Sequence, residues 1–200
     1  MKLLSSLAAI AGISFASHAI SQDDLNYIFS EESLGLVHSA SITINDGVTD
    51  GCWTNADAIL QKSRLTLEQS GISVYLEPLA TSYPQSAAIY IEAFGDRSSG
   101  NCIGFIEVGI SDIARRYLGE TQLIGEISYF RKQNIAFGRS LNPHFAIAVE
   151  NSINELAAQI LSNRRSDTVS RLIDQHGNVL RAKPETNAEF WERLGIDPPQ

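Results

Sequence analysis

Two cysteines, one methionine and two tryptophans in 200 residues leave little room for several kinds of chemistry. A zinc module needs four closely spaced Cys or His ligands, and Cys52 and Cys102 stand alone. Lys and Arg number 15 against 23 Asp and Glu, for a net charge of −8. With no basic patch to offset this, the chain repels phosphate backbones, which argues against nucleic-acid binding. The motifs of common enzymes are missing too: there is no G-x-S-x-G elbow, HExxH pair, DxDxDG loop or glycine-rich phosphate cradle. His38, His144 and His176 fall in unrelated surroundings, without an organised set of catalytic partners. No cofactor and no metal is expected.

The only long apolar run is at the start. Met1-Lys2 gives a short basic opening, Leu3 to Phe15 is apolar and small, and Ser17 and Ala19 are small where a signal peptidase reads. This pattern predicts a secretory leader over residues 1–19, cut after Ala19. The run is too short to span a bilayer. Ile20-Ser21 stands where a lipoprotein would need Cys, so no lipid anchor is expected. The mature chain is then a soluble protein of the periplasm or the secreted space, and the Lys-led, Ala/Leu-rich leader favours a Gram-negative periplasm. Export makes a Cys52–Cys102 disulfide the default reading.

Beyond the leader, the chain alternates between strand and helix signals. Period-two patterns predict strands over 34–45, 72–77, 87–94, 102–110 and 123–130. Residues 111–118 read as one or two helical turns. Arg131-Lys132-Gln133 reads as a polar turn into a second hairpin over 134–139. Thr54 or Asn55 caps a helix to about Ser70, with Ala56, Ile59, Leu60, Ser63 and Leu67 on one stripe and Gly71 as its left-handed stop. Asn142-Pro143 opens the strongest helix, with Ala146, Val149, Ile153, Leu156, Ala157 and Ile160 facing a core and Arg164-Arg165 at its end.

Residues 166–200 read as a tail. A small hairpin is expected around Gln175-His176-Gly177. Thr186 to Glu189 has capping-box spacing ahead of a short helix carrying Phe190 and Trp191. The expected fold for residues 20–165 is α+β: a two-layer sandwich with a mostly antiparallel sheet of about five strands and two main helices on one face.

Three roles are compatible with these features. The first is a non-enzymatic module that binds another envelope protein or assists an assembly, supported by the exposed edges expected of a half-covered sheet and by the aromatic tail with Phe190 and Trp191. The second is a periplasmic hydrolase using Glu92, Glu107 and Glu126, each in the middle of an expected strand. Those acids converge only if strand register allows, and otherwise lie on a solvated outer face with Tyr90, Phe94 and Phe105. The third is a small-ligand carrier with a pocket near Trp53 and Tyr75. Oligomeric state is not encoded in any of these patterns.

Overall fold

The two clearest alternations in the sequence become the middle of one sheet. In the computed structural model, which describes residues 30–79, 86–118 and 121–195, β3 (Ser86–Ser98) and β4 (Asn101–Leu118) pair antiparallel as a hairpin. β5 (Thr121–Gly138) pairs antiparallel with β4, while β1 (Ser39–Val48) and the short β2 (Ser73–Tyr75) lie on the other side of β3. The strand order is β2-β1-β3-β4-β5. β1 runs parallel to both its neighbours, so the sheet is mixed, with most of its pairing antiparallel. Parallel neighbours need a crossover, and α2 (Ala56–Gln69) supplies it between β1 and β2.

One sheet face carries the core. Ala40 and Ile42, Ile89, Ile91 and Ala93, and Ile106, Val108 and Ile110 alternate inward, onto α2 and α3 (Asn142–Asn163). Ile59, Ser63 and Leu67 of α2 are buried, as are Phe145, Val149, Ile153, Leu156 and Ile160 of α3. The α+β sandwich with two main helices on one face is therefore the observed architecture. Gly71 takes φ +75° just after α2, as its role of helix stop requires. Asn142 departs from simple capping. Its side chain accepts from Thr54 N–H at 2.8 Å and donates to Thr54 Oγ1 at 2.9 Å, lashing the start of α3 to the loop before α2.

Four elements differ from the sequence reading. Residues 34–36 form a 3-10 turn after α1 (Ser30–Ser33), and β1 begins only at Ser39. Leu34, Gly35, Leu36 and Val37 are buried in succession, and Val37 N–H donates back to Leu34 O at 3.2 Å, closing the turn in place of a strand ladder. Residues 111–118 extend β4 and are not helical, because β5 continues to pair with them out to Leu118↔Thr121. The register slips between Ile110 and Ser111, where β5 carries one extra residue, and past this bulge, beyond Ser111, the β4–β5 ladder continues without β3 beside it.

Arg131-Lys132-Gln133 lies inside β5 and is no turn. A polar run is stable in this strand because each side chain finds a partner. Arg131 and Gln133 reach Glu107 on one face, and Lys132 meets Glu155 of α3 at 2.9 Å on the other.

The hairpin expected around Gln175-His176-Gly177 is instead the helix α4 (Asp167–Leu180). Ser166 caps it by accepting from Val169 N–H, and Val169, Leu172, Ile173 and Leu180 pack against Leu36 at helical spacing. That packing outweighs the roughly 1 kcal/mol that a helical glycine costs at Gly177. The capping box ahead of α5 (Asn187–Leu194) forms as expected: Glu189 N–H donates to Thr186 Oγ1 at 3.2 Å, and Thr186 N–H donates to Glu189 Oε2 at 2.8 Å. The expected leader, residues 1–19, lies outside the described residues.

Candidate functional site

The sulfurs of Cys52 and Cys102 are joined, with Cα atoms 5.7 Å apart and both residues fully buried. The bridge ties the start of β4 to the loop leading into α2. Trp53 beside it stacks edge-on against Phe145 at 5.5 Å, and Leu141 N–H donates to Cys52 O at 2.9 Å. The loop before α2, the start of β4 and the start of α3 meet at this corner.

The face of the sheet turned away from α2 and α3 holds the remaining chemistry. Strand register sets it out in rows. Thr43, Tyr90, Gly109 and Arg131 form the first, and Asn45, Glu92, Glu107 and Gln133 the second. Gly47, Phe94, Phe105 and Ile135 form the third, and Asp96, Ile103 and Phe137 the fourth. The first two rows are polar and the last two largely apolar.

Glu107 organises the polar half. Arg131 holds it with two contacts, Nε to Oε1 at 2.7 Å and Nη2 to Oε2 at 2.8 Å. Tyr90 OH donates to Oε1 at 3.0 Å and Gln133 Nε2 donates to Oε2. Tyr90 can lie over Glu107 only because its cross-strand partner is Gly109: a Cβ there would run into the tyrosine ring. Glu107 is thus almost closed off from solvent, though only by a thin polar cover on an outer face.

Burial alone would raise the Glu107 pKa. The hydrogen bonds from Arg131, Gln133 and Tyr90, with the Arg131 charge, outweigh burial and hold it below the ordinary value of 4.5. An acid catalyst needs the opposite shift.

Glu107→Ala should destabilise the fold by about 1–2 kcal/mol at pH 7, a figure discounted because Arg131 is half exposed. A depressed carboxyl pKa stabilises above the unfolded value and loses that contribution as pH falls through the folded one. Urea melts of wild type and variant should therefore differ at pH 7 and converge below pH 4.5.

Of the three acids singled out in the sequence, Glu92 and Glu107 are direct cross-strand partners. They share a shallow depression of about 460 Å³ with Tyr90, Ser128 and Arg131. Glu126 lies elsewhere, paired with Ile113 on the outer part of the hairpin, six residues along β4 from Glu107 and about 20 Å away at strand spacing. Nor does the structure bring Trp53 and Tyr75 together. Trp53 packs on Phe145 in the first turn of α3, whereas Tyr75 lines a cleft beside Gly71, near Arg164 at the opposite end of that helix. Among the described residues no group of three or more His, Cys, Asp or Glu could hold a metal ion.

Sequence reasoning missed Arg131 and Gln133, read as turn residues, and the apolar strip. Phe94 is 48% exposed, Ile103 47%, Ile135 82% and Phe137 64%. The signal for the strip was present: Ile135 and Phe137 alternate with Asn134 and Ala136, opposite the outer-face residues Phe105 and Ile103. β5 is the last strand of the sheet, and among the described residues nothing pairs with its outer edge.

No family model matches this chain, and no curated protein does. Among solved structures it aligns with a candidate lipoprotein from Caulobacter crescentus CB15, at 12% identity over 73% of this chain and 96% of that one. The TM-score is 0.18, which supports neither a shared fold nor a shared role. Among the described residues no helix is long and apolar enough to cross a membrane.

Proposed function

We propose that this chain is exported, loses residues 1–19, and acts in the periplasm or secreted space as a protein-interaction module. Its docking surface is the open sheet face along the edge of β5. The partner is an extended segment of another envelope protein, added as a further strand with its own apolar side chains at alternate positions over the strip.

One observation carries this reading: Ile135 and Phe137, 82% and 64% exposed, stand two residues apart on the last strand of the sheet, whose outer edge has no partner among the described residues, and continue inward to Phe94 and Ile103. Soluble monomers seldom leave so many large apolar side chains contiguous and uncovered. The usual edge protections of β5 lie away from the strip: its charges are Arg131 and Lys132, held by Glu107 and Glu155, and its bulge is opposite Ile110/Ser111. The leader pattern and the buried disulfide support the oxidising location.

The double substitution Ile135→Lys/Phe137→Lys tests it. Both side chains are exposed, so the thermal midpoint should move by no more than about 2 °C. In gently extracted native envelope, the wild-type chain should migrate in an assembly heavier than itself, and the variant as a free monomer. The purified wild-type chain should be a monomer by light scattering. A variant that stays in the assembly would remove the strip from the account, and a purified wild-type dimer would assign the face to a second copy.

A further inference from the structure

At the opposite edge of the sheet from β5, a cleft of about 410 Å³ lies between the β1–β2 edge and the segment joining α4 to α5. Its lining includes His38, Gly71, Ser73, Tyr75, Arg181 and Lys183, and among the described residues contains no Asp or Glu, in a chain whose net charge is −8.

A further cation stands behind the lining. Arg164, at the end of α3, donates to Val37 O at 2.7 Å and to Ser70 O at 3.4 Å. Its Nη1 lies 3.6 Å from where a Gly71 Cβ would stand, and its buried Nε has no hydrogen-bond partner among the described residues. Among the described residues Arg181 has no carboxylate partner, whereas Lys183 is held by Glu189 at 3.0 Å. Cations from two parts of the fold, the end of α3 and the segment after α4, thus stand at one concave, hydroxyl-bearing site. Arg164 is engaged by backbone carbonyls and Lys183 by Glu189, which leaves Arg181 as the lining cation with no acidic partner among the described residues.

We propose that this cleft binds a small phosphate- or carboxylate-bearing solute, with Arg181 as its principal cation and Ser73 and Tyr75 as hydroxyl donors. A guanidinium without a partner suits a planar or tetrahedral oxyanion, which it can meet with two parallel N–H groups.

His38 reports occupancy. Its Nδ1 donates to Leu36 O at 2.8 Å, leaving Nε2 to take up a proton. Burial holds its pKa below 6.5, and the Arg164 and Arg181 charges push the same way, against the Leu36 hydrogen bond. The other charged or titratable groups near this cleft are Lys183 with its partner Glu189, and Tyr75 and Glu77, both close to Lys183. A bound anion offsets the cations, so His38 should protonate at higher pH when the cleft is filled.

The test is an NMR titration of the His38 ring in the full mature chain with inorganic phosphate at pH 7, with sodium chloride added to hold ionic strength constant. The expected result is a saturable shift and a His38 pKa about one unit higher at saturation. Citrate, as the carboxylate arm, should compete with phosphate. Arg181→Gln should weaken phosphate binding about tenfold, while Arg171→Gln, on the exposed surface of α4, should leave it unchanged. Far-UV circular dichroism confirms that both variants keep α4. A response that grows linearly with salt of any kind, or one that survives Arg181→Gln with α4 intact, would overturn the proposal. This site is independent of the β5 surface, so either could fail without the other.

Discussion

Replacing both half-cystines, as Cys52→Ala/Cys102→Ala, should lower unfolding stability by about 2–4 kcal/mol, with about 4 the upper figure for a loop of this length. The bridge closes a separation of 50 residues, and most of its effect lies in restricting the unfolded chain. In the folded chain it joins a corner that other contacts also define. Thr54 and Asn142 exchange two hydrogen bonds there, and Cys52 O accepts from Leu141 N–H. These contacts should keep the native structure recognisable without the sulfur link, but its stability reserve would be small, since a domain holds only about 5–15 kcal/mol in all. Urea unfolding followed by far-UV circular dichroism, for the oxidised protein, the reduced protein and the double variant, checks this. The last two should agree. A loss under about 1 kcal/mol would mean that the corner contacts alone fix the chain there.

Phe145→Ala should cost about 3–5 kcal/mol. Phe145 is fully buried and packs edge-on to Trp53, which is itself only 4% exposed. Removing the ring leaves a cavity beneath the disulfide corner, where the start of α3 cannot easily move because Asn142 is tied to Thr54. Phe137→Ala removes the same side chain from the opposite face. It should cost under about 0.5 kcal/mol, since Phe137 is 64% exposed. The contrast separates the helix-covered core from the open sheet face: Phe145 of α3 is buried in the one, and Phe137 of β5 stands largely exposed on the other. Matched urea melts of the two variants give the comparison, and equal losses would mean that Phe137 is structural.

Much of this architecture is legible before any coordinates. The stripe from Ile59 to Leu67, the Asn142-Pro143 opening and the Ile89–Ile91–Ala93 alternation are local patterns, and local patterns survive folding. The cysteine pairing follows from there being only two cysteines in a chain expected to be exported. The errors share a different cause. Arg131-Lys132-Gln133 looks like a turn because three polar residues in a row seldom continue a strand. They do so here because Glu107 and Glu155, distant in sequence, pair with Arg131 and Lys132, and Glu107 also accepts from Gln133. Residues 111–118 are a strand only because Thr121–Ser128 pairs with them. Residues 167–180 are a helix because Leu36 offers Val169 and Leu180 a surface that a hairpin would not fill.

The outer face follows the same rule. Glu92 and Glu107 meet, and Glu126 does not join them, through a register that no single strand contains. The apolar strip was half visible, as Ile135 and Phe137 two residues apart. Its width across β3, β4 and β5 appears only once those strands are aligned.

The central claim is that the open face at β5 is where this chain meets another protein. Site-specific photocrosslinking in the native envelope tests it most directly, with the photoreactive residue placed at Ile135 and, as a control, at Leu65, which is 54% exposed on α2. The account predicts one discrete heterologous adduct from position 135, lost when Phe137 is also changed to Lys, and none from position 65. Equal labelling from both positions, or no adduct from position 135, would contradict it.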